Sequence, residues 1–264
     1  MSLYIERIGQ GEPLVMIHGW GMHSGMWMQA RDLLSQHFEL HLVDLPGMGY
    51  SENLDVYSLH TVAEKIAEEM PSNAYVLGWS LGGLIASKIA LITPIKKLIL
   101  VGNTPCFVAR DDWQQGMPSD VFESFFAGVM QDYQGTMNKL LALIAMGSGN
   151  ARATSKMLRE ALSLRPAPNQ QGLLGALDIL RTGDLRADLP SLEMPTLLIH
   201  GAHDKLASLS AAEWTAKTLL NAELLALPSA AHEPFISHPE LFSQKVTEFL
   251  LACAKPLLSK LFTI

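Results

Sequence analysis

The sequence predicts an α/β fold: a mostly parallel central sheet flanked by helices, with a helical layer inserted between two strands. Three observations predict it. Short apolar runs alternate with stretches of helical periodicity at both ends of the chain. Between them, residues 105–188 carry no convincing strand but several apolar patterns at helical spacing. One strand–helix junction reads Gly78-Trp79-Ser80-Leu81-Gly82, a Gly-x-Ser-x-Gly spacing. The expected division is therefore a core made of residues 1–104 and 189–264, and an insertion of residues 105–188.

Residues 3–8 suit a short edge strand closed by Gly9-Gln10-Gly11. Pro13-Leu14-Val15-Met16-Ile17 reads as a buried strand ending in His18-Gly19-Trp20-Gly21. A helix ends near residues 33–37, and Glu39 opens the next strand, stopped by Pro46-Gly47. Residues 58–70 are helical, with Leu59, Val62, Ile66 and Met70 on one face. Residues 74–77 form the strand before Ser80, residues 84–91 the helix after it, and residues 97–103 another buried strand.

In the middle segment Phe122, Phe125, Phe126, Val129 and Tyr133 recur at helical spacing, as do Leu140, Leu141, Leu143 and Ile144, then Met157, Leu158 and Leu162. Pro166-Ala167-Pro168, Gly147 and Gly149 divide them into short helices. Packing against the core explains most of these apolar residues. Such a layer can also roof a pocket at the C-terminal edge of the sheet. Alternation then resumes: a strand at residues 195–201, a helix at 210–220, a strand at 222–227, and a closing helix at 239–253.

The chain has 264 residues, 48% of them hydrophobic and 17% charged, enough apolar material for one sizeable core. Its net charge of −7 argues against a nucleic-acid partner. Two cysteines, Cys106 and Cys253, suggest no disulfide framework and fit a reducing compartment such as the cytoplasm. No apolar leader-like stretch follows Met1 and no run of 18 apolar residues occurs, so neither a signal peptide nor a membrane span is expected.

Strand, Gly-x-Ser-x-Gly and helix together form the setting in which a serine Oγ projects from a strained elbow. A serine needs a base to be nucleophilic at neutral pH, and the base needs an orienting carboxylate. Asp204 and His232 stand just past the ends of the last two predicted strands, at the same sheet edge as Ser80. His203 adjoins Asp204 too closely to bridge it to Ser80, and His238 starts a helix. The backbone N–H groups of Leu81 and Trp20 are the candidate oxyanion donors, and the Trp20 indole is a candidate pocket wall. No Cys/His cluster has metal-ligand spacing and no phosphate loop opens a helix, so neither metal nor cofactor is expected.

Charge is distributed unevenly. Between Tyr133 and Leu177, Lys139, Arg152, Lys156, Arg159 and Arg165 face only Glu160, a net of +4 in a chain of −7. Arg152, Lys156 and Arg159 share one helix face, which is either merely solvated or a docking patch for an acidic partner.

Ile17-His18-Gly19-Trp20-Gly21, Asp44-Leu45-Pro46-Gly47, Gly78-Trp79-Ser80-Leu81-Gly82-Gly83-Leu84 and the run from His232-Glu233-Pro234-Phe235 to Pro239 resemble the α/β-hydrolase superfamily. More narrowly, they resemble its pimeloyl-acyl carrier protein methyl ester esterase family, of biotin synthesis. The resemblance spans about residues 10–250, and residues 105–113, 141–143 and 146–147 add to it.

The resemblance implies hydrolysis of a methyl ester on a pimeloyl chain carried by acyl carrier protein. It implies Ser80, Asp204 and His232 as the triad, with Trp20 and Leu81 at the oxyanion site. It implies acyl-chain contacts on a helical lid at Leu140, Leu141, Ala142, Leu143 and Ile144. Lys139, Arg152 and Lys156 would grip the carrier, and Arg159 joins them by spacing. A monomer is expected. Gly135, Lys139 and Leu140 depart from the family pattern of an arginine, an arginine and an aromatic. Lysine keeps the charge but loses the bidentate fork. Two other functions compete: a broad short-chain carboxylesterase with no carrier partner, and a non-catalytic hydrolase-fold binding protein. An intact Ser-Asp-His set argues against the latter, and relatives of this fold that act on haloalkanes or epoxides use an aspartate at the elbow.

Overall fold

The computed structural model describes residues 2–252. A seven-stranded sheet lies at its centre, in the order β1-β3-β2-β4-β5-β6-β7. The strands are β1 (Ile5–Ile8), β2 (Glu12–Ile17), β3 (Phe38–Val43), β4 (Tyr75–Trp79), β5 (Lys97–Val101), β6 (Thr196–Gly201) and β7 (Ala222–Leu227). Only the edge strand β1 runs antiparallel, against β3. The central strands β4, β5 and β6 are buried along their whole length, as parallel strands covered on both faces must be.

Around the sheet lie α1 (Met28–Leu34), α2 (Leu59–Glu69), α3 (Leu81–Ile92), α4 (Ser119–Gln131), α5 (Tyr133–Ala145), α6 (Ala151–Leu162), α7 (Gln170–Thr182), α8 (Leu209–Thr218), α9 (Pro234–Ser237) and α10 (Pro239–Leu251). Local chemistry sets their ends. Ser58 Oγ accepts the Thr61 N–H at 3.0 Å while Thr61 Oγ1 accepts the Ser58 N–H at 2.9 Å, a capping box that starts α2. Asp132 and Asn150 cap α5 and α6 more simply, each side chain accepting one backbone N–H, from Gly135 and Ala153. The closing helix ends at Leu251, and Cys253 and the tail beyond it lie outside the described residues.

Helices α4–α7 all fall between β5 and β6, and the rest of that stretch contributes a 3-10 turn at Leu189–Ser191 and isolated bridges, such as Cys106 to Asp184. The short α9 sits where the sequence reading expected only loop.

The sheet order reverses between β2 and β4, where β3 lies to one side and β5 to the other. Open α/β sheets bind ligands in the crevice at such a point, beyond the carboxyl ends of the strands. Here those ends lead into the His18–Gly21 turn and Ser80. No helix among the described residues is long and apolar enough to cross a membrane.

Candidate active site

Ser80 sits between β4 and α3 with φ +55 and ψ −119, outside the regions an L-residue ordinarily populates. Strain of this kind costs on the order of 1–3 kcal/mol and persists only where the surroundings over-determine it. They do so here. The Ser80 N–H donates to the Val101 carbonyl at 2.9 Å, and the Ser80 carbonyl accepts from Gly83 N–H at 2.9 Å and from Asn103 Nδ2 at 3.0 Å. The flanking glycines leave no room for side chains. A Cβ on Gly78 would stand 2.1 Å from the Gly82 carbonyl oxygen, and one on Gly82 would stand 2.2 Å from that of Ile17.

The loop after β6 carries Asp204 and the loop after β7 carries His232. His232 Nδ1 lies 2.7 Å from Asp204 Oδ2, and both side chains are buried. Asp204 Oδ1 accepts the N–H groups of Leu206 at 2.8 Å and Ala207 at 3.0 Å. Burial alone would push the Asp204 carboxyl up. The charge and hydrogen bond of His232, the nearby His200 and the Ala207 amide outweigh it and hold the carboxyl below its ordinary range. Burial pushes His200 itself down, and its Nε2 sits 2.8 Å from the Ala207 carbonyl and 3.4 Å from Asp204 Oδ2.

His232 is held from three sides. Its ring stacks at a tilt on Trp79, 5.6 Å between centroids. Trp79 Nε1 donates to the His232 carbonyl at 2.9 Å, and the His232 N–H donates to the Ile144 carbonyl at 3.3 Å. Beneath it Phe235 packs 4.6 Å from Trp27 and 4.9 Å from Trp79. The next residue, Glu233, is fully buried, and neither carboxylate oxygen meets hydrogen-bond geometry with any described group. Burial pushes its carboxyl up to about 8, and the charge on Asp204 adds to this.

The turn after β2 packs on the elbow: a Cβ on Gly19 would stand 3.3 Å from Ser80 Cβ. His18 braces this turn, with Nδ1 donating to the Gly19 carbonyl at 2.8 Å and Nε2 accepting the Leu45 N–H at 2.9 Å. Burial lowers its imidazole to about 4, so it stays neutral in that role. Trp20 Nε1 donates to the Leu173 carbonyl at 2.9 Å, which ties the turn to α7.

Ser80 and His232 open into a cavity of about 150 Å³. Its wall is almost wholly apolar, with Trp20, Phe107, Met117, Phe122, Phe125, Leu177, Leu180 and Leu206 among the lining residues. Both indoles in the wall are bonded to carbonyls, so Ser80, His232 and the exposed Lys139 supply its polar side-chain groups. Among the acyl-chain candidates, Leu140, Leu143 and Ile144 line the cavity, one stripe of α5 at i, i+3 and i+4. Leu141 and Ala142 do not: Leu141 is 2% exposed in the core and Ala142 faces solvent. Leu81 is buried at the first position of α3 and contributes no side chain to the wall.

Arg152, Lys156 and Arg159 line a separate shallow groove on α6, away from Lys139 at the cavity. Lys156 also lies 3.6 Å from Glu160. Arg165 does not belong to the exposed basic face. Its side chain is 7% exposed, bonded to Asp44 Oδ2 at 2.6 Å and Glu6 Oε2 at 2.7 Å, and it lies between the rings of Tyr4 and Tyr50. Its charge holds the end of α6 to the sheet. Among the described residues no group of three or more His, Cys, Asp or Glu could hold a metal ion.

The profile of the α/β-hydrolase fold matches residues 12–239. The chain belongs to the α/β-hydrolase family. This hydrolase is 40% identical to the pimeloyl-[acyl-carrier protein] methyl ester esterase of Nitrosospira multiformis, over 94% of this chain and 98% of that one. It is 42% identical to the protein of that name from Nitrosomonas europaea, over 91% and 96%. Among solved structures, an esterase from Exiguobacterium antarcticum superposes with a TM-score of 0.86 at 26% identity, covering 95% of this hydrolase and 96% of that esterase. The hydrolase is accordingly a carboxylic ester hydrolase.

Most of the cavity wall outside α5 was not assigned by sequence reasoning. Phe122 and Phe125 stood out by helical spacing, but as packing residues. Phe107, Met117, Leu177, Leu180 and Leu206 come from four separate segments, and no local pattern links them.

Proposed function

We propose that this hydrolase cleaves the methyl ester of a pimeloyl chain carried on acyl carrier protein, releasing methanol and free pimeloyl-acyl carrier protein in biotin biosynthesis. One observation carries the reading: a serine and a histidine line an apolar cavity to which the exposed Lys139 adds a cation, in a chain about 40% identical to enzymes of that name.

In this reading residues 105–188 act as a lid. The neutral methyl ester enters past Lys139, and the methylene chain lies along Leu140, Leu143 and Ile144. Ser80 Oγ attacks the ester carbonyl as His232 takes its proton, and Asp204 fixes the tautomer and stabilises the imidazolium. The amides of Leu81 and Trp20 face the developing oxyanion. His232 then protonates the departing methoxide as methanol. Water, activated by the same histidine, cleaves the acyl-enzyme. The product carboxylate forms in an otherwise apolar wall, where burying a charge is costly, and this favours its release.

The carrier stays outside, where Lys139, Arg152, Lys156 and Arg159 offer positive charge to an acidic surface. The enzyme works as a cytoplasmic monomer without metal or cofactor. The test compares kcat/KM for the carrier-bound ester with that for free dimethyl pimelate at low and high salt. The reading expects a preference for the carrier-bound ester that shrinks with salt. Equal values at every ionic strength would leave a broad carboxylesterase without a carrier partner.

A further inference from the structure

The corner between α5 and α6 touches both loops that carry the acid and the base. Ile144, near the end of α5, accepts the His232 N–H at 3.3 Å, and Gly149 donates its N–H to the Ser229 carbonyl at 3.2 Å. Between them Gly147 adopts φ +98, and a Cβ on it would stand 2.6 Å from the Cβ of His203, the residue before Asp204. Neither obstructing atom could swing aside, because each Cβ is fixed by its own backbone. Carbon atoms pack at about 3.5 Å or more, so any side chain at position 147 must move the corner and the Asp204 loop apart by about an ångström.

We propose that Gly147 is a positioning residue for the acid–base pair. Its left-handed backbone and missing Cβ let the corner close on His203 while Ile144 holds the His232 amide. The two loops are thereby set at the separation that gives the 2.7 Å contact between Asp204 and His232. The corner touches no reacting atom and acts only through this pair. The proposal rests on the reading of Ser80, Asp204 and His232 as the triad. A displacement of about 1 Å at a remote support can cost about 100-fold in rate.

The experiment is a mutant cycle on a short p-nitrophenyl ester, which needs no carrier. Gly147→Ala is expected to lower kcat about 10- to 100-fold with KM little changed. Adding His203→Gly removes the obstructing atom and should restore most of kcat, measured against His203→Gly alone. Adding His203→Ala keeps that atom and should restore nothing. Both double variants carry the same backbone strain at position 147, so a loss from that strain alone would affect them alike, and a Tm measured on each folded variant must stay above the assay temperature for the kcat loss to count as mispositioning. Should Gly147→Ala fail to fold, the double variants are compared directly, and the one with His203→Gly must be the more active. Wild-type kcat in Gly147→Ala, or two double variants that behave alike, whether active or unfolded, would overturn the proposal. Ser80→Ala, assayed beside them, separates the two readings. An active Ser80→Ala removes the triad, whereas an inactive one beside an unimpaired Gly147→Ala removes only the role of the corner.

Discussion

His232 Nδ1 and Asp204 Oδ2 lie 2.7 Å apart with neither side chain more than 2% exposed. A hydrogen bond this short between a buried imidazole and a buried carboxylate fixes which ring nitrogen carries the proton. Nδ1 donates to Asp204, and Nε2 is left as the acceptor on the cavity side. Asp204→Asn keeps the shape but can present its amide N–H to Nδ1, which selects the wrong tautomer. We expect kcat to fall by on the order of 10⁴. KM should change little, because Asp204 does not line the cavity. Steady-state kinetics on a p-nitrophenyl ester checks this, and near-normal kcat would remove Asp204 from the mechanism.

Glu233 should make the protein less stable as pH rises. Its carboxyl titrates near 8 when folded, against an ordinary 4.5. Between those values the unfolded chain has released the proton and the folded chain still holds it, so folding stability falls with pH across that window. The full contribution is present below about pH 4.5 and is lost above about pH 8. Glu233→Gln removes the titration. Its Tm relative to wild type should therefore climb from pH 4.5 to 8 and then level off. A Tm difference that stays flat with pH would show that Glu233 finds a partner for its charge.

Arg165 should matter for folding far more than an exposed lysine or arginine would. Removing it leaves the fully buried Asp44 without its cation. Breaking a buried pair in this way costs about 3–5 kcal/mol. Arg165→Met should shift the urea midpoint down accordingly, and Arg165→Lys should recover part of the loss. An unchanged midpoint would mean that the clamp from α6 to the sheet holds nothing.

Arg152→Glu combined with Lys156→Glu should lower kcat/KM for the carrier-bound ester and leave small esters nearly untouched. Each exposed pair contributes under about 1 kcal/mol, so the single changes should be modest and the combined reversal larger. Stopped-flow association rates at two ionic strengths would test whether high salt mimics the mutations. Equal losses on carrier-bound and free esters would assign these charges to the fold of the helical layer instead.

The sheet and the elbow were legible in the sequence because their signals are local. Apolar runs of strand length mark β2 to β6, and Gly78, Ser80 and Gly82 mark a junction where backbones nearly touch. Asp204 and His232 were legible because each follows a strand end. What the sequence hid depends on distant contacts. Arg165 counted only towards the +4 charge of residues 133–177, yet it points inward, since nothing near it in sequence reveals Glu6 and Asp44. Leu141 sits among cavity residues in sequence but faces the core, because neighbours on a helix lie about 100° apart. Glu233 adjoins His232, and nothing in its own letters says that a carboxyl group there is fully buried.

The most direct test of the central claim is a mass-spectrometric time course with pimeloyl methyl ester loaded on acyl carrier protein, run with wild type and Ser80→Ala. Wild type should convert the carrier-bound ester to the carrier-bound acid with an intact thioester and release one methanol per turnover, and Ser80→Ala should slow this by on the order of 10⁴ to 10⁶. Cleavage at the thioester, or wild-type rates in Ser80→Ala, would contradict the account.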